Sequence, residues 1–153
     1  MPKQGYLTVL STNNYVHGVL GLHGSLRSVA SDHALYCLVT PRVRRAVMDF
    51  MSSIGIKVIP IDVIKNPLLQ DPANRRYYNY SNLQMFGITT LDKFVYLDAD
   101  MLVMHNIDEL LEKPAMSAVN AGGMLPQHAD WRQLNGGLIV VRPGEALFAI
   151  NPW

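Results

Sequence analysis

The sequence is poor in cysteine, balanced in charge and free of long apolar runs. These features argue against a disulfide-stabilised protein, a nucleic-acid-binding protein and a membrane-spanning protein, respectively. Its single cysteine, Cys37, cannot form an intrachain disulfide, which suits a reducing compartment. Lys and Arg number 13 against 12 Asp and Glu, so the net charge of +1 gives no basic field for nucleic acid. No apolar run approaches the ~18 residues that span a bilayer, so we expect no membrane span.

The N-terminal stretch MPKQGYLTVLSTNN also lacks the charged and long apolar regions of a secretory signal peptide. We therefore expect a soluble, cytoplasmic protein. Its 153 residues are 49% hydrophobic and 16% charged, a composition that fits a single globular domain over residues 1–153.

Familiar nucleotide-binding and catalytic motifs are missing as well. The sequence contains no Walker loop and no nucleophile elbow. Gly18, Gly21 and Gly24 recur every three residues, but this spacing lacks the G-x-G-x-x-G arrangement and a following Lys-Ser or Lys-Thr. We interpret these glycines as small residues that allow a helix to pack closely against a sheet.

The first sixty residues alternate between strand-like and helix-like patterns. The predicted strands are 6–11, 33–40 and 56–62. Residues 16–30 carry apolar side chains at helical spacing, and 41–55 form a helix with Pro41 in its first turn and Gly55 as its stop. This βαβαβ order predicts an α/β fold, with a mostly parallel sheet and helices on both faces.

The second half is more irregular, and residues 63–80 read as a loop. The predicted elements that follow are a short helix at 81–88 capped by Ser81, strands at 93–98 and 101–105, a short helix at 107–113, and strands at 116–120 and 137–143.

Polar residues accompany three predicted strand ends: STNNY, the Asp-Ala-Asp of VYLDAD, and NGG. Ligands of open α/β sheets bind beyond the carboxyl ends of the strands. Asp98 and Asp100 can converge on one hard cation, which would bridge diphosphate oxygens. The alternative is an ordinary pair of turn residues. His105 follows nearby, but we interpret it as structural. The residues alone predict a nucleotide-type ligand held by a cation, with no general base identified.

Three blocks of sequence together extend this interpretation. They are YLTVLSTNNYVHGVLGLHGSL, YNYSNLQMFGITTLDKFVYLDADMLVMHNIDELL and LNGGLIVVRP. The chain resembles glycosyltransferase family 8, the glycogenin-like and galactinol-synthase-like retaining enzymes, over nearly its whole length. The resemblance implies a GT-A, Rossmann-like fold, a nucleotide-sugar donor, typically a UDP-sugar, and a bound Mn²⁺ or Mg²⁺.

The resemblance also implies roles for single residues. Asp98 and Asp100 would bind the metal, and Asp98 would also lie near the ribose. The residues implied at the uridine are Val9, Ser11, Thr12 and Tyr15. Those implied near the diphosphate or the sugar are Arg76, Asn82, Ala99, Asn120, Asn135 and Gly136.

The sequence departs from the family pattern at several places. Asn82 stands where the family usually has Lys, and Asn120 lies near a position often held by Asp. The later D-G-G-D-Q-like segment and the H-x-G-x-K-like segment, which supplies a third metal ligand, have no counterpart here. The chain therefore resembles the N-terminal two-thirds of a family domain, and we expect an uncovered apolar face and self-association into a homo-oligomer.

Three functions are compatible with these features. The leading hypothesis is a metal-dependent retaining glycosyltransferase that transfers a hexosyl group from a UDP-sugar to an unknown sugar, polyol or protein acceptor. The second is a non-catalytic nucleotide-sugar-binding or interaction domain derived from such an enzyme, which Asn82 and the missing segments favour. The third is a nucleotidyltransferase, although STNNYVHG is not the Gly-rich basic loop that such enzymes carry.

Overall fold

The first half of the chain folds as the predicted βαβαβ unit. The structure, a computed structural model, describes residues 1–69, 71, 77–122, 126–128 and 130–144. Its first elements are β1 (Gln4–Leu10), α1 (Val16–Ser28), β2 (Leu35–Val39), α2 (Arg45–Ser53) and β3 (Lys57–Pro60), with a 3₁₀ turn at Asn13–Tyr15 between β1 and α1.

The second half contributes three strands joined by 3₁₀ helices. These elements are the 3₁₀ helix Asn79–Gly87, β4 (Lys93–Leu97), the 3₁₀ helix Asp108–Glu112, β5 (Ala118–Asn120), the 3₁₀ turn Pro126–His128 and β6 (Leu134–Val141). None of the helices in the described part of the chain has the length and apolarity required to cross a membrane.

The six strands form one mixed sheet in the order β3-β2-β1-β4-β6-β5. β3, β2, β1 and β4 are parallel, whereas β6 runs antiparallel to both β4 and β5. The predicted α/β class with a mostly parallel sheet is thus confirmed. The chain proceeds outward from β1 to β3 and then returns to β4 on the other side of β1. Such a reversal of strand order opens a crevice at the carboxyl ends of the two central strands.

Helical segments cover both faces of the sheet, as predicted, but in unequal ways. Both α-helices pack on one face, because two right-handed crossovers in the same direction place them on the same side. The 3₁₀ helix Asn79–Gly87 covers the other face through Met85. Cys37, on β2, packs in the core between the sheet and the two α-helices, where burial raises the pKa of its thiol to about 12.

The start of the second α-helix was predicted wrongly. Residue Pro41 belongs to a turn closed by a hydrogen bond from the Val43 amide to the Thr40 carbonyl, and the helix begins only at Arg45. Val43 is buried, so its side chain holds this turn against the core. Gly55 is confirmed as the stop, because it adopts a φ of 100° just after the helix.

Two local predictions in the second half were also wrong. Ser81 is not a cap, since it lies inside the 3₁₀ helix Asn79–Gly87 and its hydroxyl accepts a hydrogen bond from the Ile64 amide at 3.1 Å. Residues 101–105 form no strand, because they run over α1, where the Val103 amide donates to Ser25 Oγ at 3.0 Å. In both places a contact distant in sequence decides the local structure.

Candidate functional site

The Asp98-Ala99-Asp100 turn stands at the carboxyl end of β4, beside the crevice. Asp98 follows the strand directly and is half-buried, whereas Asp100 is exposed. The turn is closed by a hydrogen bond from the Met101 amide to the Asp98 carbonyl at 3.1 Å. The predicted carboxylate pair therefore lies where a ligand of this sheet would bind.

The first turn of α1 packs directly against this Asp98–Asp100 turn. A Cβ built on Gly18 would overlap the carbonyl oxygen of Ala99 and lie 3.1 Å from its carbonyl carbon. Gly21 makes an ordinary contact with Leu102, and nothing lies within 4 Å of a Cβ on Gly24. The predicted close packing is thus found only at Gly18 among the three glycines, and its partner is the Asp98–Asp100 turn rather than the sheet; for Gly24 the prediction was wrong. The backbone contact at Gly18 fixes the position of the turn.

Two consecutive hydrogen bonds, from Asn82 to Tyr96 and from Tyr96 to Asp98, hold the Asp98 carboxylate. The Tyr96 hydroxyl donates to Asp98 Oδ1 at 2.7 Å, and the Asn82 amide donates to the same hydroxyl at 3.1 Å. Tyr96 is buried in the sheet. Its burial, followed by the negative charges of Asp98 and then Asp100, raises the pKa of the phenol far above its usual value. Tyr96 is therefore a neutral hydrogen-bond donor to Asp98.

β6 supplies the other side of the Asp98 environment. The Asp98 amide donates to the Gly137 carbonyl at 2.9 Å, and the Gly137 amide donates to Asn135 Oδ1 at 2.8 Å. A Cβ on Gly137 would lie 3.0 Å from Asp98 Oδ2, so glycine leaves space at that oxygen. The structure thus brings Asn135 next to Asp98, with the exposed Gly136 between Asn135 and Gly137.

Asn120 lies one strand further out, on β5. It pairs with Leu134 at the start of β6, next to the pairing of Val119 with Asn135. Its side chain is exposed and accepts a hydrogen bond from the Gly122 amide at 3.1 Å. Asn120 and Asn135 therefore occupy neighbouring positions on the antiparallel edge of the sheet.

The loop after β1 forms the opposite wall of the crevice. Thr12 accepts a hydrogen bond from the Asn14 amide at 3.4 Å, and Tyr15 is 53% exposed. The Ser11 carbonyl accepts from Thr40 Oγ1 at 2.7 Å, which ties this loop to the end of β2. Val9 is buried beneath the loop, in the same layer as Tyr96 and Met85.

Asn13 connects this loop to the turn after β2, and Arg42 in that turn contacts Tyr78, next to the 3₁₀ helix Asn79–Gly87. Asn13 accepts from the Arg44 amide at 3.0 Å, and the Arg42 guanidinium lies 4.0 Å from the centre of the Tyr78 ring. This stacking makes loop packing the observed role of Tyr78. Arg76, predicted near the diphosphate or sugar, lies outside the described residues.

Asp98 and Asp100 provide two hard oxygen ligands, which suit Mn²⁺ or Mg²⁺. Within the described ranges, no cluster of three or more His, Cys, Asp or Glu side chains is placed to hold a metal ion. His105 is exposed on the segment that follows. A divalent cation fits here if a bound diphosphate supplies further oxygens, as substrate phosphates commonly do for Mg²⁺.

The predicted set of site residues omitted Gly18, Tyr96 and Gly137. Two of them had a signal in the sequence. Tyr96 lies two residues before Asp98, and alternate residues of a strand face the same side. Gly137 is the second glycine of NGG, of which only Asn135 and Gly136 were selected. The role of Gly18 depends on how α1 crosses the turn, which no local pattern shows.

Comparison with known proteins identifies the family to which this site belongs. The sequence matches the profile of Glycosyl transferase family 8 over residues 6–133. The chain belongs to glycosyltransferase family 8. It is 40% identical to galactinol synthase 1 of Ajuga reptans over 115 residues, which are 73% of this chain and 34% of that protein.

Other relatives match almost the whole chain. It is 34% identical to inositol phosphorylceramide glucuronosyltransferase 1 of Arabidopsis thaliana over 146 residues, 95% of this chain and 26% of that protein. It is 29% identical to UDP-glucuronate:xylan alpha-glucuronosyltransferase 1 of the same plant over 149 residues, 97% of this chain and 21% of that protein. The family 8 chain thus spans about a third or less of these relatives.

Solved structures confirm the GT-A fold. An active-site mutant of LgtC superimposes with a TM-score of 0.69 at 17% identity, covering 90% of this chain and 57% of that one. The glycosyltransferase GlyE of Streptococcus pneumoniae gives a TM-score of 0.63 at 16% identity, covering 92% of this chain and 34% of that one. At these identities the likeness concerns the fold of the family 8 chain.

Proposed function

We propose that this family 8 chain is the donor-binding part of a metal-dependent retaining glycosyltransferase, with a UDP-sugar as donor. The observation that carries the proposal is the position of Asp98 and Asp100. They stand beside the crevice at the carboxyl ends of β1 and β4, where the strand order reverses on a GT-A sheet. UDP-glucuronate in the names of several relatives supports a UDP-sugar donor.

Asp98 and Asp100 are the residues that would hold Mn²⁺ or Mg²⁺. A divalent cation held by these carboxylates would offset negative charge on the departing UDP. The chain itself contributes the two carboxylates. The Tyr96 hydroxyl fixes that of Asp98 through Oδ1, and Gly137 leaves space beside its Oδ2. We assign no nucleophile, and the hexosyl acceptor, whether a sugar, a polyol or a protein, is left open.

The two walls of the crevice suggest how the donor is oriented. Thr12 and Tyr15 on the β1 loop would line the uridine, together with Ser11 and the buried Val9; the exposure of Tyr15 beside the crevice supports this role. Asn135, Gly136 and Asn120 on the β5–β6 side would lie near the sugar, and the neighbouring positions of the two asparagines on these strands support this role. Ala99 would offer its backbone between the two carboxylates. The contact of Arg76 with the diphosphate or the sugar stays a prediction.

A second candidate is a binding domain without transferase activity. Asn82 replaces the lysine that the family usually has, and its amide is used to hold Tyr96. The neutral amide of Asn82 supplies no positive charge for the diphosphate, which favours weak, metal-dependent UDP binding without transfer. Self-association and a cytoplasmic location stay predictions, which light scattering and localisation of the tagged protein would test.

Hydrolysis of the donor separates the two candidates. We expect the chain to release UDP from UDP-glucose or UDP-glucuronate with Mn²⁺ present, and more slowly when the metal is chelated. Asp98→Asn should lower this rate by about 100-fold or more, because several kcal/mol of charge stabilisation depend on the metal.

Asp49→Asn is the matched control for this substitution. Asp49 forms an exposed pair with Arg45 at 2.9 Å on α2, and such pairs contribute little to stability. Metal-dependent UDP binding by a chain that never hydrolyses its donor would support the binding domain. Equal rates for wild type and Asp98→Asn would exclude this aspartate from the reaction.

A further inference from the structure

We propose that Tyr96 and Asn82 are positioning residues that fix the Asp98 carboxylate so that its Oδ2 atom is presented to the donor-bound cation. The inference rests on the proposed function, since it concerns how that site is held in place. It assigns a role to Asn82 that replaces the diphosphate contact expected from the family lysine.

The direction of the hydrogen bonds follows from the chemistry of the three groups. A carboxylate only accepts hydrogen bonds, and a phenol has a single hydrogen to donate. The Tyr96 hydroxyl, 2.7 Å from Asp98 Oδ1, must therefore give its hydrogen to that oxygen. Its oxygen is then left to accept from the Asn82 amide at 3.1 Å. Asn82 thus determines the orientation of the hydroxyl, and the hydroxyl determines that of the carboxylate.

The two oxygens of Asp98 consequently have different roles. Oδ1 is occupied by Tyr96, whereas no donor among the described residues reaches Oδ2. Gly137 keeps the space beside Oδ2 open, because a side-chain carbon at this position would crowd Oδ2 at a distance of only 3.0 Å. The backbone amide of Asp98 is fixed to the Gly137 carbonyl at 2.9 Å. One rotamer of the carboxylate is therefore held, with Oδ2 toward the open side.

A lysine at position 82 would lose this arrangement. Its ammonium is a charged donor on a long flexible stem, whereas the Asn82 amide is short and planar. In this chain the residue at position 82 is used to order an anionic ligand of the cation. Groups that orient metal ligands in this way typically change metal affinity by about 10–100-fold when they are removed.

The test is a Mn²⁺ titration of the full 153-residue chain in the presence of UDP, followed by calorimetry or by the electron paramagnetic resonance signal of free Mn²⁺. We expect Tyr96→Phe to weaken Mn²⁺ binding by about 10–100-fold, and Asn82→Leu to weaken it by up to about tenfold. Asn82→Gln, which keeps the amide, should recover part of the loss.

Tyr6→Phe is the matched control. It also removes a hydroxyl that donates to an aspartate, here Asp108 Oδ1 at 2.5 Å, from a buried tyrosine on the neighbouring strand. Any general loss of stability should appear in both variants, whereas only Tyr96→Phe should affect Mn²⁺. Wild-type affinity for Mn²⁺ in both Tyr96→Phe and Asn82→Leu would overturn the positioning role alone. Absence of Mn²⁺ binding in wild type would overturn the donor-site proposal and the positioning role with it.

Discussion

Replacing Gly18 by alanine is expected to destabilise the chain by about 1–3 kcal/mol, the usual cost of forcing a methyl group into a packed interior. The new Cβ would overlap the Ala99 carbonyl oxygen, so α1 or the Asp98–Asp100 turn must move. Because the turn carries both carboxylates, Mn²⁺-dependent UDP binding should weaken along with stability. Urea unfolding and UDP titration measure the two effects.

Gly24→Ala on the same helix is the control for this substitution. Nothing lies within 4 Å of a Cβ at Gly24, so the methyl group meets no neighbour. Alanine favours a helix over glycine by roughly 1 kcal/mol, and the variant should be as stable as wild type or slightly more so. If Gly18→Ala behaved like Gly24→Ala in both measurements, the close contact between α1 and the turn would be refuted.

Asp108→Ala should destabilise the chain by about 2–4 kcal/mol, because it removes charge-assisted hydrogen bonds and leaves a buried hydroxyl unpaired. The Asp108 carboxylate accepts from Tyr6 at 2.5 Å, from Ser31 Oγ at 2.6 Å and from the Asp32 amide at 3.1 Å. These bonds join the 3₁₀ helix Asp108–Glu112 to the start of β1 and to the turn after α1. UDP binding should be unaffected in the folded fraction, since Asp108 lies at the amino end of the sheet.

The pH dependence of the same variant provides a second measurement. Partial burial alone would raise the pKa of Asp108, but the hydrogen bonds from Ser31, Tyr6, Asp32 and Asn106 lower it below its ordinary value. A lowered native pKa stabilises the fold above the unfolded pKa of about 3.9, and this contribution disappears as the pH falls through the native pKa. The stability difference between wild type and Asp108→Ala should therefore be constant near neutral pH and shrink below about pH 4.

Glu109→Ala is the corresponding control, since Glu109 is exposed in the first turn of the same 3₁₀ helix. It should change stability by less than about 0.5 kcal/mol, as surface substitutions usually do. A loss equal to that of Asp108→Ala would mean that the helix, rather than the Asp108 hydrogen bonds, determines the effect.

The sequence predicted the parts of the fold that depend on local pattern. The apolar runs of β1, β2 and β3 and the helical spacing of Val19, Leu22 and Leu26 in α1 identified the βαβαβ unit, because burial on a sheet or a helix face imposes a pattern on the sequence. The position of Asp98 and Asp100 followed from the same pattern, since they end a buried strand.

The remaining features depend on contacts between distant residues. Ser81 pairs with Ile64, and Val103 pairs with Ser25 across 78 positions, so neither the true start of the 3₁₀ helix nor the absence of a strand at 101–105 is visible locally. From the sequence, Asn82 could be interpreted only as a replacement of the lysine that the family usually has. Its contact with Tyr96 appears once the 3₁₀ helix Asn79–Gly87 is placed on the sheet.

The central claim is that Asp98 and Asp100 hold a cation for a nucleotide diphosphate, and titration of UDP by calorimetry with and without Mn²⁺ tests it most directly. Wild type should bind UDP more than about tenfold more tightly with Mn²⁺, equivalent to at least 1.4 kcal/mol. Asp100→Ala should bind UDP with the metal-free affinity under both conditions. Equal affinity with and without Mn²⁺ in wild type, or an undiminished metal effect in Asp100→Ala, would contradict the account.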